Sequence, residues 1–540
     1  MRVRWGLCGL MLWGVGTATA LLLHSEGVRQ ETVCLSLSDG TPIHGVLYRP
    51  TDSPPEYPMP AAVVLHGLAT SHRSCEVALA KPLVRSGFVV LAIDMRGHAR
   101  SGGSLPQSWF DDLDRILEQR VEHPEVTVAL QYLRALPDVD AQKICLLGHS
   151  LGGLAAVNAA CSGEPVASVV AISVAPQMCD LENPRNLLLL AGDLDRLISP
   201  PRFQRALSRA TGGRLDECSI PFGRFKKGTA RELWVAHWVS HLSPLFDPCA
   251  SRRAVLWATL SVGREPGFIP CKRLIAIDCL VLVSLLAGGV ATAVFLSKGR
   301  QFLLSAPSEN HDPRPRLTLP HGALRRSAIA LALCGLAVPV AAFLGDLMPN
   351  LGVLFAGASL ALCALLALAW MAAAGTIALN EGSRAAFEMI HVRGAALGIL
   401  GAVAGGMWLG VPLGSTWMDL VPCSQRIVLG SLLLVLLLPW SLVLARGVQR
   451  TVPNEGKRSA LYRGLIWLAI AGVVWLGNEL FNRLHPFFGI SVSLLGAAFI
   501  LPLPLWLLKD RPGMTAARAV CQAASAAWLL ACHLPFVHNG

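Results

Sequence analysis

The sequence predicts a mostly parallel β-sheet covered by helices on both faces, joined to an all-α domain that crosses a membrane many times. Three observations predict it. Apolar strands alternate with helical patterns between residues 24 and 271, apolar runs of membrane length recur through 272–540, and Lys and Arg are spread unevenly over the loops. Apolar residues make up 53% of the 540 and charged residues only 15%, against roughly 25% charged in soluble proteins. The net charge of +11 does not point to nucleic acid, because the basic residues form no stripe interleaved with aromatics.

In the first domain, two short extended stretches, "TVCLSL" and "IHGVLY", flank the turn "SDGTP" and read as a hairpin. "AAVVLHG" follows, a continuous apolar run of the kind a parallel strand buried on both faces requires. A helical pattern over 73–86 leads to the strand "FVVLAID", and a longer helical region covers about 110–135. "KICLLGH" is the next strand, with the helix "LAAVNAA" behind it. "SVVAISV", "NLLLLAG" and "RELWVA" close the series, with helices near 201–210 and 246–258. Strands alternating with helices build a parallel sheet whose chemistry gathers at the carboxyl ends of its strands.

The apolar runs lie at 5–23, 274–296, 327–347, 351–374, 395–413, 427–445, 464–482, 487–508 and, more weakly, 519–534. A span needs about 20 such residues, and within it only a helix satisfies the backbone. With the N-terminus "MRVR" inside, the cytoplasmic segments hold eighteen Lys and Arg, and the opposite short loops hold two. Cytoplasmic loops carry the positive charge, so residues 24–271 are expected outside the cytoplasm. The expected organisation is therefore a signal anchor or signal peptide over 1–23, an extracytoplasmic domain over 24–271, and seven or eight helices over 272–540. The chain is expected to be an integral multi-pass protein, at the plasma membrane. Eight of the fifteen cysteines fall in the exported part, where disulfides are permitted; buried free thiols are the equal alternative. No C-x-x-C spacing suggests zinc.

Ser150 stands at the centre of the G-x-S-x-G in "GHSLG", between an apolar strand and a helix. A nucleophile turn needs Gly148 and Gly152 because the backbone bends sharply there and side chains would collide with strand and helix. In "VVLHGLATSH", His66 and Gly67 end a strand, and the amide of Leu68 can join that of Leu151 as an oxyanion hole. His66, His98 and His149 read as packing residues, Arg96 as a tie between loops, and His72 as a surface or helix-cap residue.

With "AIDMRGHARSGG" after the next strand, the chain resembles the α/β-hydrolase superfamily, nearest its monoacylglycerol lipase-like and serine aminopeptidase-like branch. It departs from that series at Ala99, where glycine is usual. The resemblance implies an α/β-hydrolase fold and a triad in the order Ser, acid, His. In "LLLLAGDLDRLISP", Asp195 fits the acid position, with Asp193 as its rival; in "RELWVAHWVSHLSPLF", His241 fits the base position better than His237. The expected activity is hydrolysis of carboxylic esters or thioesters through an acyl-enzyme, with no metal or organic cofactor. Only "APQMCDLENPRN" separates the strand "SVVAISV" from "LLLLAG", which leaves little room for a cap. The expected partners are a small-molecule or lipid substrate and the lipid bilayer, with no nucleic acid; the oligomeric state stays open. A peptidase on the same triad, and a transporter or sensor with a non-catalytic hydrolase-like domain, are the alternatives.

Overall fold

A computed structural model describes residues 2–51, 58–106, 109, 113–195, 197–213, 221–265, 271–303, 329, 362, 364–366, 392–414, 424–451, 456–481, 503–508, 514–533 and 537–538. The chain forms two compact units. One runs over Ala18–Val281; the other takes in Met1–Thr17 and most of the chain after Leu282.

The first unit is built on eight strands: β1 (Val28–Ser36), β2 (Pro42–Pro50), β3 (Met59–Leu65), β4 (Val89–Ile93), β5 (Val139–His149), β6 (Ser168–Ile172), β7 (Leu187–Gly192) and β8 (Arg231–Ala236). Their order across the sheet is β1-β2-β4-β3-β5-β6-β7-β8. β1, β2 and β4 pair antiparallel, and every pair from β4 to β8 is parallel. Composition explains the division. β1 keeps most of its residues exposed at the sheet edge, whereas every residue of β3 and β4 is buried, as layers of helix on both faces demand.

The expected helices take more varied forms. The pattern over 73–86 is a 3₁₀ turn (His72–Cys75), a π turn (Glu76–Ala80) and a short α-helix (Lys81–Arg85) in succession. The region 110–135 contains two helices, Leu113–Glu118 and Pro124–Arg134. The helix Leu151–Cys161 is buried along its whole length, which its Ala and Gly content allows. The last helix, Pro248–Ser261, starts with Pro248 in its first turn, and the Asp247 carboxylate accepts from the Cys249 amide at 2.9 Å. These are the preferred residues for a helix start. Residues 173–186, between β6 and β7, carry no helix, so no cap interrupts the sheet there. Cys75, Cys145, Cys161 and Cys179 are buried free thiols.

Three helices among the described residues are long and apolar enough to cross a membrane: Gly6–Ser25, Ile275–Leu303 and Ile427–Ala445. The runs at 395–413, 464–482 and 519–534 fall in, or within a residue or so of, the helices Val392–Gly414, Gly456–Phe481 and Met514–His533. Most of the runs at 327–347, 351–374 and 487–508 lies outside the described residues. In the second unit Arg518 donates to the carbonyls of Leu505 and Leu508 at 3.3 and 3.2 Å, and its guanidinium lies 4.7 Å from the Trp506 ring centroid.

Candidate active site

Three chain segments that leave the carboxyl ends of β5, β7 and β8 meet at one point. At the end of β5, Ser150 adopts φ 52°, ψ −116°, a left-handed conformation that costs an L-residue about 1–3 kcal/mol and persists only where its surroundings enforce it. The enforcement is visible. The Ser150 amide donates to the Ile172 carbonyl at 2.7 Å, and the Ser150 carbonyl accepts from Leu154 at 3.0 Å as the helix begins. A Cβ on Gly148 would collide with the Gly152 carbonyl, and one on Gly152 would lie 2.5 Å from the Leu65 carbonyl oxygen. Only glycine fits at either position.

After β7, the Asp195 side chain is fully buried. Its Oδ1 accepts from the amides of Leu197 and Ile198 at 2.9 and 3.0 Å, and its Oδ2 faces His241 Nδ1 at 2.9 Å. The second imidazole nitrogen, Nε2, lies 2.9 Å from Ser150 Oγ. With the proton on Nδ1, donated to the carboxylate, Nε2 is left as an acceptor for the serine hydroxyl. The rival pair is also joined, but elsewhere: His237 Nδ1 lies 3.2 Å from Asp193 Oδ2, and Asp193 Oδ1 accepts from the Val239 amide at 3.3 Å.

His149, beside the serine, is more than a packing residue. Its Nε2 lies 2.8 Å from the His241 carbonyl and donates to it. Burial pushes its pKa down to about 3, with the neighbouring His241 adding to the effect, so the ring stays neutral and keeps a fixed donor on the loop that carries His241.

The loop after β3 is held at both ends. His66 is buried and its Nε2 accepts from the Met95 amide at 2.9 Å, while Nδ1 donates to the Gly67 carbonyl at 2.7 Å. At the other end the His72 amide and Nδ1 both approach Asp94 Oδ1, at 2.9 and 2.8 Å. Between these ends Gly67 packs against the serine: a Cβ there would stand 3.3 Å from Ser150 Cβ. Leu68 lies in this loop, and Leu151 opens the helix that follows Ser150, where the first four amides have no intrahelical acceptor.

His72 corrects the sequence expectation. It is buried, not a surface or cap residue, and it is bonded to a carboxylate that is itself wholly buried. Burial opposes its charge, but Asp94 outweighs burial and raises the His72 pKa. Burial likewise opposes the Asp94 charge, yet His72 and the hydrogen bonds from His44 and His72 hold its carboxyl well below the usual range. The signal was the Asp of "DMRGH" at a strand end; its partner lies 22 residues earlier and nothing local links them. Arg96 pairs with Asp39 of the first hairpin turn at 3.1 Å. Ala99 adopts φ 42°, the left-handed geometry for which glycine is the usual residue.

Among the described residues, His44, His72 and Asp94 offer ligand atoms within 4.8 Å of one another. The carboxylate is already engaged by both imidazoles and by the amides of His72 and Arg100, which makes it an ion-pair network. A cleft of about 560 Å³ lined by His123, Ala159 and Ser162 lies at the far end of the helix that follows Ser150, away from Ser150, Asp195 and His241.

Residues 60–209 match the sequence profile of the α/β hydrolase fold. The domain has the α/β-hydrolase fold. The chain is also similar to the quorum-quenching protein AidA of Acinetobacter baumannii, 28% identical over 124 residues. That match spans 23% of this chain and 37% of the relative's length. Among solved structures, an esterase of Pyrococcus furiosus is 17% identical, with a TM-score of 0.33 over 43% of this chain and 92% of its own. A dienelactone hydrolase-like promiscuous phosphotriesterase from metagenomic libraries is 18% identical, with a TM-score of 0.34 over 44% of this chain and 98% of its own.

Proposed function

We propose that the protein is a membrane-anchored serine hydrolase that cleaves carboxylic esters or thioesters of lipid or amphiphilic substrates. The observation that carries the reading is the unbroken chain from Asp195 through His241 to Ser150, with both contacts at 2.9 Å. In this reading His241 Nε2 takes the Ser150 proton as Oγ attacks the carbonyl carbon. The amides of Leu68 and Leu151 receive the negative oxygen. His241 then protonates the leaving alcohol or thiol, and water, deprotonated in turn by His241, releases the acid and restores Ser150. Asp195 stays ionised throughout and stabilises the imidazolium.

The charge asymmetry of eighteen against two supports a multi-pass domain over 272–540 and an extracytoplasmic hydrolase domain over 24–271, behind an anchor or signal segment over 1–23. The short connection at 173–186 favours an open site over a capped one. Labelling with a serine-directed fluorophosphonate tests the assignment. The unsubstituted chain is expected to label and Ser150→Ala to lose the label while keeping its melting temperature; undiminished labelling of Ser150→Ala would remove Ser150 as nucleophile.

A further inference from the structure

The loop between β3 and the 3₁₀ turn is strained at one residue. Ala69 sits at φ 57°, a left-handed conformation that glycine adopts freely and other residues adopt at a cost. Ala69 and its neighbour Leu68 are both buried, so relaxing the turn would have to move both side chains. A strained residue persists only where neighbouring contacts over-determine it, and here three contacts do so.

On the leading side, His66 Nε2 accepts from the Met95 amide at 2.9 Å and Nδ1 donates to the Gly67 carbonyl at 2.7 Å. Within the loop, Thr70 Oγ1 donates to that same carbonyl at 2.8 Å and closes the turn around Leu68 and Ala69. On the trailing side, the His72 amide and Nδ1 converge on Asp94 Oδ1 at 2.9 and 2.8 Å. Asp94 and Met95 are consecutive and follow the last residue of β4, so both outer grips fasten onto one point of the sheet. That point is itself held. The Asp94 side chain is fully buried, its Oδ2 faces His44 Nδ1 at 3.1 Å, and its carbonyl accepts from Ser101 Oγ. The Ser101 hydroxyl oxygen in turn accepts from the His44 amide at 2.9 Å. The His72 contact is the one that ties the far side of Ala69 to the sheet.

We infer that His72 and Asp94 are positioning residues, a latch that keeps the strained loop on the end of β4 and the Leu68 amide where an oxyanion forms. Relaxation at Ala69 is taken up by rotations at its neighbours, and the Leu68 amide, one residue back, turns with them. A donor fixed in advance needs no reorganisation at the moment of reaction, and that is the source of its effect on rate. The inference rests on the hydrolytic reading, and both residues act through the loop rather than on substrate.

The test follows hydrolysis of p-nitrophenyl butyrate by the full chain in detergent. An oxyanion donor acts on the transition state and not on the bound ester, so His72→Leu is expected to lower kcat roughly tenfold or more at an unchanged KM. Asparagine can place its side-chain amide where Nδ1 stood, and His72→Asn is expected to recover most of the rate. Ala69→Gly removes the strain that the latch opposes. Added to His72→Leu it is expected to restore most of kcat, and alone to leave kcat unchanged. A pair that served stability only would lower the melting temperature and spare kcat, and the glycine would restore nothing. Unchanged kcat in His72→Leu, a rise in KM in place of the fall in kcat, or no recovery with Ala69→Gly would each overturn the inference. His72→Leu leaves a buried carboxylate unpaired; should it not fold, the double variant His72→Leu, Asp94→Asn removes the charge as well and is held to the same outcomes. An unsubstituted chain that fails to cleave the ester would remove the hydrolytic reading and the latch's role with it, whereas turnover equal to that of His72→Leu overturns the latch alone.

Discussion

Two aspartate–histidine pairs stand side by side in this protein and sit in different surroundings. Asp195 and His241 are 46 residues apart, Asp193 and His237 are 44 apart, and the contacts measure 2.9 and 3.2 Å. The inner carboxylate is fully buried and its histidine 18% exposed; the outer pair is 34% and 83% exposed. Only the inner imidazole has a third partner on its far nitrogen, Ser150 Oγ, and it is the His241 carbonyl that a buried neutral donor, His149, holds. The difference teaches that an Asp–His contact by itself says little. In the proposed reading, desolvation and the serine on the far nitrogen fit the inner pair to move a proton, whereas solvent screens an exposed pair.

The largest expected contrast is between the histidines. His241→Ala should lower fluorophosphonate labelling and ester hydrolysis by roughly 10⁴-fold or more. His237→Ala should leave either rate near that of the unsubstituted chain, because solvent screens its exposed contact. A comparable loss in the two variants would break the distinction.

His149 sharpens it. His149→Leu leaves the His241 carbonyl without its donor, a loss of ~1–3 kcal/mol, and labelling should slow roughly tenfold. His149→Gln, whose side-chain amide can donate to the same carbonyl, should recover most of that rate. A purely space-filling role would rank leucine and glutamine the other way.

The smallest effect is on stability against pH. The folded His149 pKa is depressed to about 3, against about 6.5 in an unfolded chain. Below about 6.5 the unfolded chain therefore takes up a proton that the native ring refuses. Stability should fall as the pH drops toward 3, by at most ~1.4 kcal/mol per pH unit from this group. Melting temperatures in detergent should show a shallower decline from pH 6.5 to 4 for His149→Leu than for the unsubstituted chain.

Much of this geometry was legible in the sequence because local chemistry carries it. Apolar runs gave all eight strands of the main sheet, and the glycines around Ser150 marked the bend that its positive φ requires. The order of strand ends was enough to prefer Asp195 and His241 over their neighbours, which the hydrogen-bond chain from Asp195 to Ser150 places together. What stayed hidden depends on partners far along the chain. His72 looked like a surface residue because Asp94 lies 22 positions away. His149 looked like packing because the carbonyl it holds belongs to His241, 92 positions on. The parallel pairing of Val537–His538 with Leu105–Pro106 has no counterpart in any periodicity.

The most direct measurement compares two substitutions that each remove one negative charge and almost no volume. Second-order labelling rates would be determined for Asp195→Asn and Asp193→Asn in the full chain. The account predicts a fall of about 10⁴-fold for the first and a near-unchanged rate for the second. Equal rates, or the larger loss in Asp193→Asn, would contradict it.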